Sequence, residues 1–244
     1  MSDATVFTSP IFSALHQGRS NYFALSTLAT VAIAPGEVFN PLWIYGSSGV
    51  GKTAMLDATA GVLAEHPSRP LILRIHAEQF LHDWIRAIKH EATADFFARI
   101  LGFQVVIVDH MDCLCGRDFT QEQFARLMAR AADQGIQVIL ASAYSPRELQ
   151  ELDKIFRNLC QWYLCANVVL PSLEERFAIT RRMARERELP LSEGLVYRIS
   201  AAAHTPARIR CIIHHLAARR KLLALSDADL PDALEHLLER EVVA

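Results

Sequence analysis

The segment Gly46-Ser47-Ser48-Gly49-Val50-Gly51-Lys52-Thr53 constrains this chain more than any other part of it. It fits the pattern G-x-x-x-x-G-K-[ST], follows the apolar run Leu42-Trp43-Ile44-Tyr45, and opens a helical pattern that begins at Ala54. Glycines in such a loop let backbone N–H groups turn inward around phosphate oxygens, and the helix N-terminus adds the positive end of its dipole. Lysine supplies a mobile cation for the β and γ phosphates. Gly46, Ser47, Ser48, Gly49, Val50, Gly51, Lys52 and Thr53 are therefore the expected nucleotide-binding residues. Thr53 is expected to ligate Mg²⁺ through its hydroxyl. A second Mg²⁺ ligand is expected at Asp109, because Val105-Val106-Ile107-Val108 reads as a buried strand that leaves this carboxylate at its carboxyl edge. Open parallel sheets bind their ligands at that edge.

Apolar runs bounded by turn residues predict five buried strands, at Leu42–Tyr45, Leu71–Ile75, Val105–Val108, Ile136–Leu140 and Asn167–Leu170. Helical spacing runs through Ala54–Glu65, Glu78–His90 and Gln121–Gln134. Strands alternating with helices predict an α/β domain, a parallel sheet covered on both faces. Beyond Pro171 the pattern turns helical throughout, over Glu174–Glu188, Ser192–Ala203, Pro206–Leu225 and Asp227–Arg240. The expected organisation is a nucleotide-binding domain over residues 1–171 and a small helical domain over 172–244, with Ser192 and Asp227 as N-caps.

Composition narrows the function classes. With 51% hydrophobic residues in 244, the chain can bury a full core, yet no run of eighteen apolar residues occurs. Met1–Pro10 lacks the basic and apolar blocks of a secretion signal, so the expected location is cytoplasmic, with no membrane partner. A net charge of -2 argues against a dedicated duplex-DNA surface and leaves room for a local basic stripe. The five cysteines show no CxxC spacing and read as buried free thiols. His214-His215 are adjacent on a helix, hence about 100° apart around its axis, which is poor geometry for a shared metal. Arg181–Arg187 reads as a basic helical face, solvated or turned to a partner, and packing suffices for Trp43, Trp84 and Trp162.

Several segments together carry a family resemblance. Gly18-Arg19-Ser20-Asn21, the run Asn40-Pro41-Leu42-Trp43-Ile44-Tyr45-Gly46, the set Phe80, Asp83 and Phe96, then Trp162 and Pro171-Ser172-Leu173-Glu174-Glu175-Arg176 fall in the order and spacing of one family. From about Phe12 onward the chain resembles the AAA+ ATPase core of the bacterial replication initiator DnaA and its regulatory relative Hda. The resemblance implies an AAA+ P-loop fold, a five-stranded parallel sheet with a C-terminal all-helical lid. It also implies ATP or ADP with Mg²⁺, and partners among replication proteins, a DnaA-type initiator or another AAA+ subunit. Arg208 stands at the family's phosphate-sensing arginine, where a guanidinium suits bidentate contact.

Departures from the family pattern bear on chemistry. His110 stands where the family has the acid that orients the attacking water, Ala143 where it has Asp, and Leu159 where it has the arginine finger that acts on a neighbouring subunit. Arg157, two residues earlier, points elsewhere on a helix. Imidazole accepts a proton but lacks the negative charge, so His110 is a weak catalytic candidate, and little or no hydrolysis is expected. Glu78–Phe103 resembles the family's single-strand-binding element, with Phe97-Ala98 in place of its basic pair and Arg86 and Lys89 as substitutes or as solvated charges. No counterpart of the initiator's helix-turn-helix is evident, so duplex origin-box binding is not expected, and Met1–Pro10 shows no sliding-clamp peptide. These readings favour a nucleotide-responsive regulator of replication initiation. Two alternatives stay open: a DnaC/IstB-like helicase loader working on single-stranded DNA, and a scaffold holding a structural nucleotide.

Overall fold

The computed structural model describes residues 10–149 and 154–240; residues 1–9 of the Met1–Pro10 stretch, which shows no clamp peptide in sequence, lie outside them. In chain order the elements are α1 (Pro10–Ser13), α2 (Tyr22–Ile33), β1 (Leu42–Tyr45), α3 (Lys52–Ala64), β2 (Ile72–His76), α4 (Ala77–Lys89) and α5 (Thr93–Leu101). There follow β3 (Val105–Asp109), a 3₁₀ turn at Met111–Leu114, α6 (Asp118–Asp133), β4 (Gln137–Ser142), α7 (Lys154–Cys160) and β5 (Leu164–Asn167). The last elements are α8 (Leu173–Glu186), α9 (Glu193–Ala202), α10 (Pro206–Leu223), a 3₁₀ turn at Asp227–Asp229 and α11 (Leu230–Arg240). They fall into two compact units. One holds the chain up to Gln17, Asn21–Ser48 and Lys52–Val168, and the other holds Gly18–Ser20, Gly49–Gly51 and the chain from Val169.

The first unit is built on the expected five-stranded sheet, in the order β2-β3-β4-β1-β5, with every pairing parallel. β3 is buried along its whole length, as a run of four β-branched residues with helices on both faces requires. Asn40 fixes where β1 begins. Its amide donates to the Ile136 carbonyl at 2.8 Å and accepts from the Val138 N–H at 2.8 Å, so one side chain closes the start of β4 in register. Trp43, Phe80, Phe124 and Phe156 fill one face of the sheet. Phe124 meets Phe80 edge-on at 4.9 Å between ring centroids, and Phe80 meets Phe96 of α5 at 5.4 Å.

Several expectations need correction. The fifth strand is Leu164–Asn167, not Asn167–Leu170. Its partner β1 offers only four residues, so pairing ends when the Val168 N–H reaches the Tyr45 carbonyl, and Val169 and Leu170 stand exposed. The second strand runs one residue further than its apolar stretch, to His76, because backbone pairing with Asp109 continues past the last aliphatic side chain. Trp162 is not a packing residue: it is 88% exposed in the turn before β5. All five cysteines are free, but only Cys160 is buried, and Cys211 is exposed.

In the second unit, Ile199, Ile209, Ile213, Leu216 and Leu234 make a separate apolar core. Ser192 caps α9 by accepting from the Leu195 N–H, as expected. Asp227 is not a cap. Ser226, one residue earlier, takes that place in a reciprocal box with Asp229. Glu175 belongs to a second box at the start of α8, where its Oε2 accepts from the Ser172 N–H at 2.7 Å. Its other oxygen, Oε1, accepts from the Ser20 N–H at 3.1 Å and the Ser20 hydroxyl at 3.0 Å. A side chain at Gly18 would overlap that same Glu175 oxygen, which is why the segment Gly18-Arg19-Ser20 needs its glycine.

Candidate nucleotide and metal site

The loop between β1 and α3 bends through left-handed backbone at Gly49 (φ 82°) and Gly51 (φ 109°), conformations that a Cβ disfavours. A Cβ at Gly49 would also come within 3.0 Å of Thr205 Oγ1. Ser47 and Ser48 are exposed, Gly46 and Val50 are buried, and Lys52 and Thr53 begin α3 half-buried. The Lys52 ammonium folds back on the loop, donating to the carbonyls of Gly46 at 2.5 Å and Ser47 at 3.1 Å. Burial pulls the Lys52 pKa below its ordinary value, against the opposing pull of Asp109 and Asp112.

Thr53 and Asp109 come together, the Thr53 hydroxyl donating to Asp109 Oδ2 at 2.8 Å. The Asp109 side chain is 1% exposed, so its charge needs partners. Arg74 of β2 supplies one, with Nη2 3.5 Å from Asp109 Oδ2 and 2.9 Å from Asp57 Oδ1. The His110 N–H supplies another, reaching Asp109 Oδ1 at 2.8 Å. His110 itself is left-handed (φ 59°, ψ 45°), an uncommon state for a residue with a side chain. Its Nδ1 lies 3.0 Å from Nδ1 of His76 and 3.6 Å from Asp109 Oδ1. At the neighbouring strand end, Asp112 Oδ1 accepts from the Ser142 hydroxyl at 2.9 Å and from the Ala143 N–H at 2.7 Å. Burial pushes the Asp112 carboxyl up, but these bonds and His110 outweigh it and hold it below the ordinary carboxylate range.

The family of the bacterial DnaA ATPase domain matches residues 8–167. The chain belongs to this family. Domain III of the Thermotoga maritima replication initiation protein DnaA superposes with a TM-score of 0.86 at 23% identity, over 93% of this chain and 96% of that one. A replication initiator DnaA bound to AMPPCP and single-stranded DNA matches with a TM-score of 0.78 at 21% identity. It covers 88% of this chain and 64% of its own. The AMPPCP-bound DnaA from Aquifex aeolicus gives 0.76 at 21% identity, over 87% and 64%. The chain thus spans just under two thirds of these two longer initiators, and at such identities the likeness is one of fold.

Within the DnaA-family frame, the residues that depart from the pattern occupy distinct settings. Ala143 is half-buried behind the Asp112 hydrogen bond, and Leu159 packs partly against the core while Arg157 is exposed. Arg208 lies in the second unit, half-buried in the first turn of α10. Its N–H is capped by Thr205 Oγ1 at 3.2 Å, with Pro206 opening the helix. In that unit the Ala207 N–H donates to the Gly49 carbonyl at 3.1 Å. Arg86 and Lys89 are exposed in the last turn of α4. Phe97 is taken up by packing, its ring stacked on Trp84 at 5.0 Å and 8°, and Ala98 is exposed.

Sequence reading missed Arg74, His76 and Asp112. Arg74 sits among aliphatic residues in β2, and its one signal was a charge inside an otherwise apolar strand. His76 was lost because the strand was ended at Ile75. Asp112 had no local signal, since its partners come from the end of β4, thirty residues on.

Proposed function

We propose that this DnaA-family chain is a nucleotide-responsive regulator of replication initiation. It binds ATP or ADP with Mg²⁺ in the loop 46–53, hydrolyses it feebly or not at all, and acts through contacts with initiation proteins or other AAA+ subunits. The observation that carries the reading is the Thr53–Asp109 pair at 2.8 Å, next to a loop whose lysine donates to the backbone carbonyls of Gly46 and Ser47. A hydroxyl and a carboxylate so placed suit Mg²⁺, which takes oxygen ligands. When bound, Mg²⁺ neutralises charge on the β and γ phosphate oxygens. Lys52 exchanges carbonyl partners for phosphate oxygens, and the loop N–H groups receive the rest. Arg208, at the family's phosphate-sensing position, is the residue we propose for sensing the phosphates.

Weak hydrolysis follows from His110. The position after Asp109 carries an imidazole, turned toward His76, in place of the carboxylate that orients the attacking water in the family pattern. The experiment is a titration of the protein with fluorescent ADP and ATP alongside phosphate release, comparing wild type with Lys52→Ala. Tight binding lost in the variant with negligible release supports the regulator. Robust turnover overturns it in favour of a helicase loader, and nucleotide that survives exhaustive dialysis favours a structural ligand.

The exposed Arg86 and Lys89, joined by Arg99 on α5, support a second property, weak binding of single-stranded DNA. Affinity for a labelled oligonucleotide should fall as salt rises and drop further in Arg86→Ala/Lys89→Ala. An unchanged affinity would leave these charges as solvated surface.

A further inference from the structure

We propose that His76, His110 and Asp109 form a site for one divalent transition-metal ion of the zinc class, adjoining the Mg²⁺ position and sharing only the Asp109 carboxylate with it. The proposal goes beyond the nucleotide reading and does not depend on it.

The two histidine nitrogens stand at the separation that one ion requires, and the carboxylate lies somewhat further off. The two imidazole Nδ1 atoms lie 3.0 Å apart, His110 Nδ1 lies 3.6 Å from Asp109 Oδ1, and one ligand atom from each of the three residues falls within 4.8 Å of the others. Metal–nitrogen bonds of about 2.0–2.1 Å place two ligand atoms on one ion roughly 2.8–3.4 Å apart for angles from square to tetrahedral. Two imidazole nitrogens that face each other directly can otherwise share only one proton, one ring donating and the other accepting.

Rigid elements hold the three ligands. Parallel pairing of β2 with β3 sets His76 opposite Asp109, so these two are fixed by the register of the sheet. The left-handed turn at His110 then brings its ring beside His76. Strained backbone of this kind is retained where the surroundings hold it in place.

Asp109 can serve both ions because its oxygens are divided: Oδ2 faces Thr53 and Arg74, and Oδ1 faces His110. The His110 N–H on Oδ1 orients that oxygen, as an outer-shell donor does for a ligand carboxylate. The histidines open onto a surface cavity also lined by Glu78, Asp112 and Cys113, which gives an ion access and leaves room for water as a further ligand. Two imidazoles with one carboxylate select zinc, cobalt, nickel or iron over magnesium and calcium. His214 and His215 differ: their rings stand 6.3 Å apart, and His214 Nδ1 meets Arg187 at 3.0 Å.

The test is titration of metal-stripped, nucleotide-free protein with Co²⁺, followed by visible absorption and calorimetry. Expected are one Co²⁺ per chain, at least about tenfold weaker binding in each of His76→Ala and His110→Ala, and no change in His214→Ala/His215→Ala. Both ligand histidines are exposed, so circular dichroism of the variants should match wild type. The Co²⁺ spectrum should persist in a large excess of Mg²⁺. Absence of saturable binding, equal binding by the His76 and His110 variants, or displacement by Mg²⁺ would each overturn the proposal. Since no nucleotide is present, none of these outcomes depends on whether the loop 46–53 binds ATP.

Discussion

Asp112 shows how much one side chain decides at the strand ends. Its folded pKa is lowered, so its stabilising contribution is complete above the unfolded value, near 3.8, and is lost as pH falls through the lower folded one. Replacing it by Asn removes a charged acceptor for the Ser142 hydroxyl and the Ala143 N–H. Asp112→Asn should cost about 1–2 kcal/mol at neutral pH, toward the low end because the residue is half-exposed. The deficit should shrink as pH falls below the unfolded value toward the lower folded one, where folded wild type takes up its own proton. Urea unfolding at neutral and acid pH measures both, and parallel profiles for the two proteins would contradict the assignment. At the same scale, Arg74→Met should weaken Mg²⁺-dependent nucleotide binding, because Asp109 then keeps a buried charge with one cationic partner fewer. An unchanged affinity in the fluorescence titration would show that the Thr53 and His110 donors hold Asp109 by themselves.

The start of α8 is held by more than its own capping box, because Glu175 serves both Ser172 and Ser20. Ser172→Ala should cost about 1 kcal/mol, a cap value. Glu175→Ala should cost distinctly more, since it also strips an acceptor from the Ser20 N–H and hydroxyl. Chemical denaturation of the two variants decides it, and equal costs would reduce Glu175 to a cap partner. In the other unit, α5 is anchored by Phe96, which is 7% exposed and flanked by the rings of Phe80 and Trp84. Phe96→Ala should destabilise by about 3–5 kcal/mol, and a loss below 1 would mean that α5 is weakly docked.

For the molecule as a whole, the proposed nucleotide site links binding to stability. Ligand at a hundred times its Kd adds about 2.7 kcal/mol to a protein that binds only when folded. For a chain of this length that corresponds to a rise in Tm of roughly 5–10 °C. Thermal unfolding with and without Mg²⁺-ADP should show it for wild type and not for Lys52→Ala. A shift retained by the variant would place the nucleotide elsewhere.

How much could be read in advance depended on how far apart the cooperating residues lie in the chain. The phosphate loop, the buried strand ending at Asp109 and the alternation that makes a parallel sheet are contiguous patterns. Periodicity and glycine placement express them directly, so the sequence by itself determined the fold and the family. The Glu175–Ser20 clamp spans 155 positions, Asp112–Ser142 spans 30, and His76–His110 spans 34. None leaves a local trace, because each is made by strand register and helix docking, which depend on the packing of the whole sheet. Only the tertiary structure could place an arginine and a second histidine against the buried Asp109, and its physical means was the parallel pairing of β2 with β3.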